Sequence, residues 1–382
     1  MRILHVITRS EWGGAQNVVC QLAEAQHKKG HMVEVMCGEQ GRLVRELQKV
    51  GVPVRFNQHL QRNLSCKDLW AAIYLWRVCG EKFDLIHAHS SKAGVFARLV
   101  GWLRGIPVCF TVHGFGVSPN HPKWKQGLYF WVERWLAWLT DALIFVSNAD
   151  EARARSQGWL DKAKYSTVIF NGVRSSEEKI PELEQTMSWK NMSRKKLGIP
   201  CDAYVVGNLA RVVWVKNPEF WQAVAEQFLE EDQEGYFIWF GGGDDDTSLH
   251  RATKGSYEER ICFWGETENI DLALLGMDVL FLSSRSEGMP LAVLEGMSRK
   301  KAILAPALAG LSEMLKGECG LTYAPENVEQ AVAALHRLKN QAERQRLAQN
   351  GYAKYLQVYT EERMVHKYME VYQRVRTSIK EH

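Results

Sequence analysis

Two acidic side chains and a turn mark the most informative segment of the chain, SRSEGMPLAVLEGM at 284–297. The apolar run DVLFLS comes just before it and predicts a strand that ends at this loop. Gly288 lies in the turn, and Pro290 is placed to be the first residue of a helix. Backbone N–H groups at such a helix start, with those of Met289 and Leu291 as candidates, can bind a phosphate.

The same segment carries two carboxylates, Glu287 in the loop and Glu295 in the predicted helix. Each carboxylate can accept hydrogen bonds from two hydroxyl groups, which suits the vicinal diol of a ribose or a hexose. The alternative is a favourable interaction of both acids with the positive end of the helix dipole, with no ligand involved. Both interpretations remain open on these residues alone.

Two cations follow the strand that opens the second half of the chain. Arg211 and Lys216 lie on one loop within GNLARVVWVKN at 207–217. A planar guanidinium and a compact ammonium could together neutralise a diphosphate. A solvated pair of surface cations is the alternative.

Glycines and a histidine suggest a further set of contacts in the first half. The run RILHVI is followed at once by SEWGGAQ, in which Gly13 and Gly14 precede a predicted helix. These glycines either let a ligand approach the backbone closely or only form a tight turn. His113 ends the apolar run CFTVH, where a lone histidine is more often structural than functional.

Strand-like runs alternate with helical patterns along the whole chain, which predicts parallel sheets covered by helices on both faces. The predicted strands are 2–7, 32–37, 84–88, 107–112, 142–146, 166–170, 204–209, 236–240, 261–264, 278–283 and 302–305. The pattern restarts near residue 204 and therefore indicates two doubly wound domains. The polar segment 173–192 is interpreted as the linker between them. The charged amphipathic helix 361–380 is expected to cross back onto the first domain.

Composition limits the class of protein. The chain has 382 residues, 46% hydrophobic and 24% charged, which is enough for two globular domains. The short apolar run at the start of the sequence ends in charged residues and is not expected to be a secretory signal. No apolar run is long enough to span a membrane, and the eight cysteines are scattered. We therefore expect a cytoplasmic protein without disulfides, with a location on the inner face of the plasma membrane as a possible refinement.

Charge is distributed unevenly between the two halves. Residues 1–173 hold 22 Lys+Arg against 13 Asp+Glu, a balance of +9, and the remainder holds 26 against 31, a balance of −5. A basic first half suggests an anionic partner such as nucleic acid, a membrane surface or a lipid phosphate. Solvated charge without a partner is the alternative.

The segment 121–139, HPKWKQGLYFWVERWLAWL, is rich in tryptophan and flanked by basic residues. Trp131, Trp135 and Trp138 share one face of the predicted helix. A helix that is apolar nearly all round is usually buried. The alternative hypothesis is that this helix contacts a membrane interface, where tryptophan and lysine bind well.

Taken together and in this order, these segments resemble the retaining glycosyltransferases of family 4 (glycosyltransferase group 1). The matching motifs are GGAQ at 13–16, HAHSSKAG at 87–94, TVHGFG at 111–116, FVSNA at 145–149, NGV at 171–173, GNLARVVWVKN, FGGGDD at 240–245 and SEGMPLAVLEGM. Two departures are Arg174, where aspartate is commoner, and the acidity of the run GGGDDD at 241–246. That acidity argues against phosphate binding by charge at the glycine-rich loop.

The resemblance implies an α/β, GT-B fold with two doubly wound Rossmann-like domains facing across a cleft. The first domain would comprise residues 1–172 and be joined by the C-terminal helix 361–382. The second, 193–360, would bind a nucleotide-sugar donor. UDP-hexose is the default donor because it is the common one in the family.

The resemblance also implies roles for individual residues. Arg211 and Lys216 would hold the diphosphate, Glu295 the ribose and Glu287 the sugar hydroxyls. Further donor contacts are expected from His113, Gly13, Gly14, Trp264, Gly265, Gly288, Met289 and Leu291. Contacts with the acceptor are expected from Gln16, His89 and Ser90.

The implied reaction retains the anomeric configuration by front-face substitution, with the departing diphosphate taking the acceptor proton. We expect no metal and no cofactor, because Arg211 and Lys216 would replace the metal and because His87 and His89 alone do not make a metal site. The acceptor would be a saccharide or a lipid-linked saccharide of cell-surface polysaccharide or lipopolysaccharide synthesis. No nucleic-acid partner is expected, since no recognition helix or RNA-binding aromatic motif is found.

Three other interpretations are weaker. A sugar-nucleotide epimerase or a phosphorylase could share this architecture, although a phosphorylase would need a far longer chain and a lysine that carries pyridoxal phosphate. A nonenzymatic nucleotide- or nucleic-acid-binding protein would use the basic half, but the acidic second half argues against it. An NAD-dependent enzyme is disfavoured because EWGGAQ lacks the G-x-G-x-x-G spacing.

Overall fold

The computed structural model describes residues 1–61, 65–115, 122–174, 183–232, 234–243, 257, 259–267 and 269–380. The chain forms two compact units. The first comprises Met1–Gly172 with Glu361–His382, and the second comprises Val173–Thr360. The chain therefore leaves the first unit once and returns to it with its last helix.

Strands and helices alternate through both units. In the first part of the chain they are β1 (Arg2–Val6), α1 (Gly14–Lys28), β2 (Met32–Cys37), α2 (Arg42–Lys49), β3 (Val54–Phe56), α3 (Lys67–Val78), β4 (Leu85–Ala88), α4 (Ser91–Arg104), β5 (Val108–Val112), α5 (Lys123–Ala137), β6 (Ala142–Phe145), α6 (Asn148–Ser156) and β7 (Ser166–Val168). They continue with α7 (Leu183–Lys196), β8 (Tyr204–Leu209), a 3₁₀ turn (Trp214–Lys216), α8 (Pro218–Glu231), β9 (Gly235–Phe240), β10 (Ile261–Gly265), α9 (Ile270–Gly276), β11 (Val279–Phe281), α10 (Leu291–Ser298), β12 (Ala302–Pro306), α11 (Ala309–Leu315), β13 (Leu321–Tyr323), α12 (Val328–Arg337), α13 (Gln341–Val358) and α14 (Glu361–Lys380).

The first unit is built on a parallel sheet with the strand order β3-β2-β1-β4-β5-β6-β7. The order reverses at β1, so right-handed crossovers place α1 and α2 on one face and α3, α4 and α5 on the other. The strands β4, β5 and β6 are buried along their full length. Such continuous burial is expected of a parallel sheet covered by helices on both faces.

The second unit repeats the plan with the parallel order β10-β9-β8-β11-β12-β13. Its core is aromatic: Trp221 of α8 packs edge-on against Trp239 of β9 at 5.5 Å between ring centroids, and both are fully buried. The two sheets confirm the predicted α/β fold. Strands β3 and β13, each of three residues, were not predicted.

The interpretation of 173–192 as a linker needs correction. This segment belongs to the second unit, and helix α7 begins within it. Lys190 and the buried Arg194 both bind Asp278, at 2.8 and 2.7 Å. The described side chains of this helix include these polar contacts, which hydrophobic patterning does not detect. Residues 175–182 lie outside the described part of the chain.

Each unit holds a buried ion pair between an arginine and a carboxylate. In the first unit, Arg98 of α4 donates to Glu133 of α5 at 2.7 Å. In the second, Arg194 donates to Asp278 and also to the carbonyl oxygens of Gly276, Cys201 and Ala203. Burial raises the pKa of Asp278, but Lys190 and Arg194 outweigh it, so the pKa of this carboxyl lies below its usual value.

The tryptophan-rich helix α5 is not a buried core helix. Trp131 and Trp135 of this helix are 58% and 61% exposed, and Trp138, just beyond the end of the helix, is 55% exposed. Only Glu133, Leu136 and Ala137 of the helix are buried. The expectation that this helix is buried is wrong. Apolar residues occur on nearly all sides of the helix, but not all of these sides face the sheet.

Among the residues that the structure describes, no helix is both long and apolar enough to cross a lipid bilayer.

Candidate active site

The predicted diphosphate loop and the acidic loop of the second unit are joined by hydrogen bonds. The Ser283 hydroxyl donates to the Lys216 carbonyl oxygen at 2.7 Å. The Arg285 backbone N–H donates to the Val215 carbonyl oxygen at 2.9 Å, and its guanidinium donates to the Trp214 carbonyl oxygen at 2.7 Å. Two segments about 70 residues apart in sequence therefore form one rigid loop pair beyond β8 and β11.

This loop pair brings two predicted site residues into contact. The Lys216 ammonium donates to Glu287 Oε1 at 2.5 Å, and the Ser284 hydroxyl donates to the same oxygen at 2.6 Å. The side chains of Lys216 and Glu287 are 24% and 9% exposed. Glu287 therefore holds the ammonium group at the surface, where an anion can reach it.

The glycine-rich segment after β9 supports the loop of Arg211. A Cβ at Gly241 would lie 1.9 Å from the Ala210 carbonyl oxygen, and one at Gly243 would lie 2.0 Å from that of Val212. Backbone contact between the two loops thus requires glycine here. Arg211 itself is exposed. The acidic residues 244–246 lie outside the described part of the chain.

The helix after the acidic loop begins one residue later than predicted. Pro290 has an extended ψ of 124° and precedes α10, whose first residue is Leu291. The side chains of Met289 and Leu291 are buried, so only their backbone groups are placed to meet a ligand. A Cβ at Gly310 would lie 2.3 Å from the Gly288 carbonyl oxygen, which shows that this turn is tightly packed.

Three other predicted donor contacts differ in their exposure to solvent. Glu295 is 8% exposed in the second turn of α10. Trp264 and Gly265 end β10, with the indole 39% exposed and Gly265 at a φ of +83°. The tryptophan thus presents an aromatic surface at a strand end.

In the first unit, the glycine pair forms the start of α1. Gly13 precedes the helix in an extended conformation, and Gly14 is its first residue. The side-chain amide of Gln16 donates to the Arg9 carbonyl oxygen at 3.1 Å. Ser90 is bound to Thr8, whose hydroxyl lies 2.7 Å from the Ser90 hydroxyl. These contacts fix the loops after β1 and β4 to each other.

The strand ends of the first unit meet in a cluster of histidines. His5 Nδ1 lies 2.9 Å from His89 Nε2, and His89 Nδ1 lies 3.1 Å from His113 Nε2. His5 Nε2 lies 2.8 Å from the side-chain oxygen of Gln26 on α1. His87 binds the hydroxyls of Tyr372 and Thr111, at 2.5 and 2.8 Å.

Burial keeps these imidazoles neutral. It lowers the pKa of His5 and of His113 to about 4 each. Burial, together with the neighbouring imidazoles, lowers the pKa values of His87 and His89 well below the usual range. At neutral pH the cluster is therefore an uncharged hydrogen-bond network.

One candidate metal group exists among the described residues, formed by His5, His87 and His89. The three offer nitrogen atoms within 4.8 Å of one another. Every one of these nitrogens already has a hydrogen-bond partner in a side chain. The arrangement fits a hydrogen-bond network better than a ligand set.

The prediction that His89 contacts an acceptor needs correction. His89 is 2% exposed, and both of its ring nitrogens bind other histidines. Its sequence context, directly after a strand, resembles that of His113, and only burial distinguishes the two.

Comparison with known proteins identifies both halves of the chain. Residues 13–170 match the family model "Glycosyl transferase 4-like domain", and residues 190–354 match "Glycosyl transferases group 1". A galactosyltransferase of Escherichia coli, named UDP-Gal:alpha-D-GlcNAc-diphosphoundecaprenol alpha-1,3-galactosyltransferase, is 30% identical over 83% of this chain and 82% of its own length. The chain belongs to the group 1 glycosyltransferases.

Two further comparisons agree with the assignment of this chain to the glycosyltransferases. A putative glycosyltransferase of Bacillus subtilis, EpsD, is 27% identical over 76% of this chain and 75% of its own length. The crystal structure of Anabaena HepE in complex with UDP and glucose is 20% identical, has a TM-score of 0.82 and covers 97% of this chain and 98% of its own. The GT-B fold and the predicted enzyme class are confirmed, and the epimerase and nonenzymatic alternatives are not favoured.

Sequence reasoning missed several residues of the candidate site. Ser284 and Arg285 immediately follow a predicted strand, so the position alone could have suggested them. His5 lies inside β1 and Gln26 inside α1, where a buried polar side chain gives no local signal.

Proposed function

We propose that this glycosyltransferase moves a hexose from a UDP-hexose to a saccharide or lipid-linked saccharide, with retention of the anomeric configuration. The observation that carries the proposal is the Lys216 ammonium, held by Glu287 on the fixed loop pair. A preorganised cation at this position can stabilise a departing diphosphate without reorganising during the reaction. Arg211, on the same loop, would neutralise further charge.

The proposed step breaks the bond between C1 of the sugar and the diphosphate oxygen, and the electron pair leaves with the diphosphate. The acceptor hydroxyl oxygen bonds to C1 on the same face, and its proton passes to the departing diphosphate. Lys216 and Arg211 would stabilise the charge, Glu287 and Glu295 would orient sugar and ribose hydroxyls, and His113 would contact the donor sugar. The step uses no metal ion and no cofactor.

The donor is tested by thermal unfolding of the whole chain with UDP-, GDP- and ADP-sugars. A ligand bound only by the folded protein raises the melting temperature. We expect UDP-hexoses to raise it and the others to have little effect. A selective shift with GDP- or ADP-sugars would overturn the choice of nucleotide.

The stereochemistry and the metal requirement need separate measurements. NMR of the product is expected to show the same anomeric configuration as the donor. Turnover is expected to survive EDTA, and loss of activity that magnesium restores would contradict metal independence.

The acceptor proposal draws on the E. coli relative, whose name specifies a diphosphoundecaprenol-linked acceptor. We further propose that the first unit works at the cytoplasmic face of an anionic membrane and binds it through helix α5. A pocket of about 330 Å³ is lined by Trp131, Trp135 and Trp138 together with the cations Arg134 and Lys162. Amphipathic indoles beside cations suit the headgroup region of anionic lipids.

Flotation with vesicles that contain phosphatidylglycerol tests the membrane contact. Trp135→Ser should reduce binding at low salt, whereas Trp189→Ser, which changes an exposed tryptophan of the second unit, should not. No binding of the unmodified protein, or equal losses in both variants, would contradict the proposal.

A further inference from the structure

Four side chains form a continuous line of hydrogen bonds from the interior of the first unit to the half-buried His113. The line runs from Gln26 on α1 to His5 on β1, then to His89 beyond β4, and ends at His113 beyond β5. Its three links measure 2.8, 2.9 and 3.1 Å. Gln26, His5 and His89 are buried.

The side-chain oxygen of Gln26 sets the direction of the whole line. This oxygen can only accept, so His5 must carry its proton on Nε2. A neutral imidazole has one donor and one acceptor, so His5 Nδ1 accepts from His89 Nε2. By the same argument, His89 Nδ1 accepts from His113 Nε2. His113 is thereby left with an unprotonated Nδ1.

We propose that Gln26, through His5 and His89, holds His113 in the Nε2–H tautomer, so that Nδ1 of His113 accepts a hydrogen bond from a hydroxyl of the donor sugar. The second half of this statement depends on the proposed function, in which His113 contacts the donor. Gln26, His5 and His89 are positioning residues, since none of them touches the substrate. The line thus makes the site prefer a sugar with a hydroxyl at that position.

Two observations support the line as a fixed device. Burial keeps its imidazoles neutral, so each holds a single proton and the direction cannot be lost by double protonation at neutral pH. The neighbouring His87 is not part of it, because its nitrogens bind the hydroxyls of Tyr372 and Thr111. Among the described residues, no side chain is recorded as bonding to Nδ1 of His113.

The tautomer can be measured in the unmodified, ligand-free chain. Histidine is labelled with ¹⁵N, and the ring nitrogens are observed through two-bond correlations to ring protons, in which protonated and unprotonated nitrogens have distinct shifts. A His113→Asn variant assigns the signals. We expect Nδ1 of His113 to be unprotonated. A protonated Nδ1 would mean that the line runs in the opposite direction and would overturn the proposal.

Two variants of Gln26 test whether the amide is the origin. Gln26→Met has a similar length but no acceptor, and should give His113 signals from both tautomers. Gln26→Leu also lacks an acceptor and should give the same mixture of tautomers. If His113 keeps a single, unchanged tautomer in Gln26→Met, the proposal is overturned and Gln26 has only a structural role. This holds whether or not the melting temperature falls.

Turnover separates this inference from the proposed function. With UDP-galactose as the probe, hydrolysis to galactose and UDP should fall about tenfold in Gln26→Met and in Gln26→Leu, as expected for one lost hydrogen bond. The Kd for UDP should not change in either variant. Lack of turnover in the unmodified protein would count against the proposed donor, while the tautomer measurement would still decide the direction of the line. Normal turnover in Gln26→Met would overturn the link to the donor sugar.

Discussion

The two units share one plan, but their strand ends carry opposite kinds of chemistry. In the first unit, neutral imidazoles bind one another, and those of His5, His87 and His89 are buried. In the second, a lysine and a glutamate form an ion pair at the surface. A neutral network can fix the direction of a hydrogen bond, whereas a charged group can stabilise an anion. The same parallel sheet thus supports orientation in one unit and charge stabilisation in the other.

The largest expected difference between the two units is the loss of folding stability as the pH falls. In the unfolded chain His5 binds a proton below about pH 6.5, but in the folded chain only near pH 4. Because the unfolded state binds more protons in this range, stability falls as the pH falls, by about 2 kcal/mol for His5 between pH 7 and 5. His87 and His89, whose pKa values are also lowered, should add similar losses.

Calorimetry at pH 7 and 5 would measure this difference. The transition of the first unit should move to a lower temperature by more than that of the second, which has no comparable imidazole cluster among its described residues. Equal shifts of both transitions would contradict the assignment.

The second contrast concerns catalysis. Lys216→Ala removes the cation of the second unit and should lower kcat/KM about a thousandfold, because the leaving group loses its preorganised charge. Lys195→Ala, which changes an exposed lysine of α7, is the matched control and should have no effect. The circular dichroism spectra of both variants should match that of the unmodified protein. Similar activity in both variants would place the diphosphate elsewhere.

The third contrast compares the two buried ion pairs. Asp278→Ala leaves Arg194, Lys190 and the backbone N–H of Val205 without their carboxylate. It should lower the free energy of unfolding by about 4 kcal/mol. Among the described residues, Glu133→Ala leaves the Arg98 guanidinium without its carboxylate. It should lower the free energy of unfolding by about 3 kcal/mol. Urea unfolding would measure both changes. A larger loss of unfolding free energy for Glu133→Ala would show that the number of groups left without the carboxylate does not determine the destabilisation.

The smallest expected effect tests whether Glu295 binds a diol or only interacts with the helix dipole. Glu295→Gln should weaken UDP binding about tenfold, as expected for a lost charge-assisted hydrogen bond. Glu329→Gln changes an exposed acid in the first turn of α12 and should leave UDP affinity unchanged. Titration calorimetry would compare the two variants. Equal affinities would favour the dipole interpretation.

The sequence was sufficient to predict the alternating strands and helices because each long buried strand leaves its own hydrophobic pattern. Lys216 and Glu287 could also be found, since each lies in a loop that follows a predicted strand. Their mutual contact could not, because it depends on how two distant loops pack. The line from Gln26 to His113 was hidden for the same reason: its members belong to four different elements, and none shows its partner in the local sequence.

The last helix has a consequence for how the protein is made. The partner of His87 Nδ1 is Tyr372, which lies 285 residues further along the chain. During synthesis, the early sheet can form while the ribosome is still translating the second unit, but His87 stays without this hydroxyl until α14 emerges. A late nonsense mutation would therefore damage the part of the protein encoded first.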